Sequence, residues 1–66
     1  MNAGKSLKVA LAKRGMSQVE FARLVKMTQP SVSSLANSQN WTGGSLKKVS
    51  EALGMKASEF LALGED

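Results

Sequence analysis

The chain has 66 residues, 42% of them apolar, which is room for one domain, residues 1–66, built on one small core. It holds neither cysteine nor histidine, so disulfides, Cys/His metal sites, thiol chemistry and histidine acid–base catalysis are excluded, and no apolar run approaches the ~20 residues of a membrane span. Nine Lys and Arg against five Asp and Glu leave a net charge of +4, with six basic groups and one acid in residues 5–26, which favours an anionic partner or simply a solvated basic surface.

Ala3, Leu7, Val9, Ala10 and Leu11 predict an amphipathic first helix over about residues 3–14, and Gly15 is placed to end it. Ser17-Gln18-Val19-Glu20 reads as a capping box, so a second helix is expected over 18–25 with Phe21, Ala22, Leu24 and Val25 facing inward. Two turns are too few to persist alone, so tertiary packing must hold this helix.

Thr28 offers the next N-cap and Pro30 falls in the first turn after it, where a missing amide costs nothing. A third helix is therefore expected over 29–36. Residues 37–44 have loop composition around Trp41. Ser45 is the expected cap of a fourth helix over 46–53, with Leu46, Val49, Ala52 and Leu53 inward and Gly54 closing it. A fifth helix over about 57–63 brings Phe60, Leu61 and Leu63, and residues 64–66 should fray. No segment alternates with period two, so the expected fold class is all-α with five short helices.

The connection between the second and third helices is only about three residues, which forces a sharp angle and leaves one face of the third helix outside. That face carries Gln29, Ser31, Ser33, Ser34 and Asn37, with no charge among them, while Val32, Leu35 and Ala36 are apolar. A helix face that meets only water usually carries Lys and Glu. Uncharged hydrogen-bonders suit base edges, and Lys26 with the positive helix ends, Thr28 among them, suits phosphates. A Ser/Gln-rich solvent helix without a partner is the plainer alternative, though serine is a mediocre helix former.

Gln18-x3-Ala22, Met27-Thr28-Gln29, Val32 and Leu35 together resemble the helix-turn-helix of lambdoid phage Cro and repressor proteins and their bacterial relatives, over about residues 16–63. The resemblance implies a lambda-repressor-like domain with its helix-turn-helix at about 18–37. It implies a small Ala22 where the third helix crosses the second, and core anchors at Val32 and Leu35. It also implies backbone contacts from Gln18 and Asn37, Gln18 bracing Gln29, and base contacts from Gln29, Pro30, Ser33 and Ser34. Ser31 and Asn40 belong to the same expected surface. Thr42, Gly43, Gly44 and Ser45 match a phosphate-holding loop, or form an ordinary solvated cap.

Trp41, Ala57 and Phe60 match a two-fold dimer contact, the alternative being that Trp41 lids the core. Lys47 and Lys48 lie either at the phosphate rim or on a solvated face. The chain departs from the family at three places: Lys26 replaces a turn glycine, Pro30 replaces a polar base reader, and Leu11 with Ala36 replaces a buried Arg–Glu pair.

The resulting expectation is a cytoplasmic, Cro-like repressor that binds a pseudo-palindromic duplex operator as a weak homodimer, with no cofactor, metal, catalytic group, membrane contact or small-molecule ligand. A restriction-modification controller protein or an antitoxin would use the same domain. A small protein-interaction adaptor is the reading from a different class.

Overall fold

The computed structural model describes residues 2–65 and holds five helices in the order α1 (Ala3–Arg14), α2 (Gln18–Val25), α3 (Gln29–Ala36), α4 (Gly43–Ala52) and α5 (Ala57–Ala62). The ends follow local chemistry. The Asn2 side chain accepts the Lys5 amide at 3.0 Å, the Ser17 hydroxyl accepts the Glu20 amide while Glu20 accepts the Ser17 amide, and the Thr28 hydroxyl accepts the Ser31 amide. Each interaction satisfies an amide that the first turn leaves without a helical partner.

Three helices end in the same way. After α1, α2 and α4 a residue adopts the left-handed conformation, Gly15 (φ 62°), Lys26 (φ 58°) and Gly54 (φ 69°). The next amide then reaches back five residues along the chain, Met16 to Leu11, Met27 to Ala22 and Met55 to Ser50. The residue at that last position is a methionine each time, partly buried against the core. An apolar side chain there closes the end of its helix as well as covering the interior.

The centre of the protein takes one fully buried side chain from each helix: Leu7, Phe21, Val32, Val49 and Phe60 are all 0% exposed. Helix α3 packs on α1 and α2, α4 joins α2 to α5, and α5 returns to α1. Leu11 and Ala36, expected from the resemblance to stand in place of a charged pair, are both buried in this core. Two buried serines are satisfied by carbonyls, Ser6 donating to Leu61 and Ser50 to Leu46 within its own helix.

The structure corrects three expectations. Helix α4 begins at Gly43, capped by Thr42, whose hydroxyl accepts the Ser45 amide at 3.2 Å. Threonine and serine both serve as N-caps, and here the earlier of the two is the one used. Leu24 is 50% exposed, because the buried stripe of α2 is the narrow Phe21, Ala22, Val25 set, and at 100° per residue Leu24 points about 107° from its centre. Gly64 is buried rather than frayed: a methyl on it would meet the Asn2 carbonyl and the Ser6 hydroxyl at 2.6 Å. Asp66 lies outside the described residues. Among the described residues no helix is long and apolar enough to cross a membrane.

Candidate nucleic-acid interface

Helix α3 is presented by a turn of three residues, Lys26, Met27 and Thr28. Ala22 is 4% exposed where α3 packs on α2, so a larger side chain there would force the two helices apart. Val32 and Ala36 are buried, and Leu35 is half-buried. The other face of α3 is open, with Gln29, Pro30, Ser31 and Ser34 exposed and Ser33 half-buried.

Thr28 and Ser31 are tied together, the Thr28 hydroxyl donating to the Ser31 hydroxyl at 2.8 Å while accepting its amide. The pair occupies the N-terminal edge of α3 and leaves Gln29 standing clear beside it. Among the described residues no hydrogen bond joins Gln18 to Gln29, so the expected bracing is not formed in the free chain. Gln18 itself is half-buried at the start of α2.

At the opposite end of α3, exposed Asn37 is the C-cap, and its side-chain carbonyl accepts from Lys8 Nζ at 3.5 Å. Asn40 is exposed in the following loop, where its backbone carbonyl accepts the Ser38 hydroxyl at 2.9 Å.

The revised start of α4 changes the character of residues 42–45. The Thr42 hydroxyl takes the Ser45 amide and donates to the Ser45 hydroxyl at 3.1 Å. The Leu46 amide goes to the Thr42 carbonyl. The first-turn amides left over belong to Gly43 and Gly44, both exposed, with open space where a Cβ would stand. A phosphate oxygen can approach such a backbone without steric conflict, and the positive end of α4 favours it.

Of the cations in residues 5–26, Arg14 is committed to the fold, its guanidinium donating to the Leu53 carbonyl at the end of α4. Lys26 is exposed in the turn before α3. Lys47 and Lys48 are exposed on α4.

Phe60 is fully buried and offers no surface to a second copy; a residue expected at a dimer contact is a core residue of the protomer. Trp41 packs on it with ring centroids 5.5 Å apart, and the Trp41 indole N–H donates to the Leu35 carbonyl at 2.9 Å. Trp41 is thus the lid of the core while keeping part of its ring in solvent, and Ala57 is half-buried.

Two residues beside the end of α3 were not foreseen. Lys8 becomes visible only because α1 and α3 pack together and bring it to Asn37. Gly4 matters because a Cβ on it would lie 2.6 Å from the Ala36 carbonyl oxygen, so α1 approaches the end of α3 backbone to backbone.

Residues 6–66 match the family of Cro/C1-type HTH DNA-binding domains, and the chain belongs to that family. No curated protein matches the chain.

Proposed function

We propose that this Cro/C1-type domain is a sequence-specific repressor of transcription that binds a pseudo-palindromic operator as a symmetric pair and acts by occupancy. The observation that carries the reading is the charge-free outer face of α3, with Gln29, Ser31 and Ser34 exposed and Ser33 half-buried beside them. Uncharged amides and hydroxyls gain from base edges what they cannot gain from phosphates, and Gln29 is suited to the N6/N7 edge of adenine. Pro30 adds only apolar contact, for instance with a thymine methyl group.

Around that face Lys26, Gln18, Asn37, Asn40, Thr42 and the Gly43–Gly44 amides with Ser45 form the backbone-contacting set, which positions α3 without selecting sequence. The exposed part of Trp41 with Ala57 supplies the contact between copies.

Selection of bound duplexes from a random pool, followed by sequencing, tests this. The expected product is two inverted half-sites with centres about 34 Å, or one helical turn, apart. Enrichment of a single unrepeated site would overturn the paired arrangement. Absence of salt-dependent affinity for any duplex would instead favour a protein-binding adaptor.

A further inference from the structure

We propose that Lys8 is a further phosphate contact, so that α3 is held on the duplex by a cation at each end, Lys26 before it and Lys8 beyond it. The inference rests on the DNA-binding reading and extends its footprint to α1.

The observation is an open depression of about 330 Å³ between the first turns of α1 and the C-terminal end of α3. Lys5 and Lys8 line it from one face of α1, and Asn2, Ala36, Asn37 and Gln39 complete the lining. None of the described residues lining it carries a carboxylate.

The bond from Lys8 Nζ to the Asn37 carbonyl oxygen orients that amide, leaving its NH2 group and the remaining ammonium protons as donors at the rim. Donors gathered at one rim suit an anion. The DNA-binding reading brings the phosphodiester backbone to this end of α3, where Asn37 is proposed to meet it. An eight-residue helix rises about 12 Å, and the major groove is about 12 Å wide. Lys26 and Lys8 stand at opposite ends of this helix, which is about as long as the groove is wide.

The rival role for Lys8 is purely structural. Helix α3 has no basic residue in its own last turn, and a lysine from α1 would offset the negative end of its dipole. The two roles differ in what they move.

Affinity for a short random-sequence duplex should be measured from about 50 to 200 mM salt for the wild type, Lys8→Gln and Lys13→Gln, with thermal melting of each. Lys13→Gln removes the same charge elsewhere on α1. The expected result is a salt slope reduced by about 0.9 in Lys8→Gln alone, with weaker binding and an unchanged melting temperature. A wild-type slope retained in Lys8→Gln overturns the inference while leaving the domain's DNA binding intact, and a lowered melting temperature with that retained slope assigns Lys8 to the dipole. Equal slope losses in Lys8→Gln and Lys13→Gln overturn it as an effect of net charge. A wild type without any salt-dependent binding removes the DNA-binding reading itself.

Discussion

A methyl group on Gly4 would lie 2.6 Å from the Ala36 carbonyl oxygen, which makes the seam between α1 and the end of α3 a contact of two backbones. Gly4→Ala forces that carbonyl or the helix to move. Overpacking of this kind costs about 1–3 kcal/mol, against at most about 1 kcal/mol returned by the helix propensity of alanine. The expected outcome is a lower melting temperature, by about 4–8 °C for each kcal/mol lost. Calorimetry checks it; an unchanged transition would mean that α1 can slide along α3.

Lys26 stands at φ 58°, where a side chain costs about 1–2 kcal/mol and glycine does not. Lys26→Gly is expected to raise stability by about 1 kcal/mol while weakening binding to all duplex sequences and lowering the salt slope. Melting and binding should therefore move in opposite directions. If both improve, the lysine has no role at the phosphates.

The bounds of α1, α2 and α3 were legible because their signals are local: Gly15, the Ser17–Glu20 capping box and the Thr28 cap each act within a few residues of the end they specify. The start of α4 was misplaced because Thr42 and Ser45 are both good caps three residues apart, and local chemistry alone does not choose between them. The open face of α3 was legible from its composition. Lys8, Gly4 and the burial of Gly64 were not, since each depends on which helices meet. Leu24 shows the same limit from the other side: apolarity states what a residue prefers, and the packing of a short helix decides whether it is covered.

Gln29 stands exposed beside the paired Thr28 and Ser31 hydroxyls, so it carries the sharpest expectation about sequence choice. Gln29→Ala should relax preference at one base pair of each half-site, by about 1–3 kcal/mol, with little change on random DNA. Parallel titrations on the selected site, its single-base variants and random duplex check this. Equal losses on all of them would make Gln29 a backbone contact.

Trp41 donates to the Leu35 carbonyl and packs on Phe60, so its removal should be felt within one protomer. Trp41→Ala is expected to cost up to about 3 kcal/mol, less than for a fully enclosed tryptophan because the ring is only half-buried. Melting measured over a wide range of protein concentration separates the roles. A concentration-independent loss locates the effect in the protomer core, whereas a loss seen only at high concentration would place it between copies.

The Glu20 carboxylate is held below the usual glutamate range, first by the Ser17 backbone amide that donates to it, then by the Ser17 side chain and the charge of Arg23. Its folded pKa thus lies under the unfolded value of about 4.3, so the unfolded chain binds more protons as acid is added. The stabilisation from this group is complete above that unfolded value and is lost as pH falls through the folded one. Glu20→Gln keeps a side chain that can close the capping box but removes the titration. Other carboxylates act equally in both proteins, so the difference between them isolates Glu20. Denaturant melts from neutral pH down to about pH 2 should show the wild type ahead at neutral pH and the gap closing in acid. A gap that stays constant with pH would mean that the capping hydrogen bond is indifferent to the carboxylate charge.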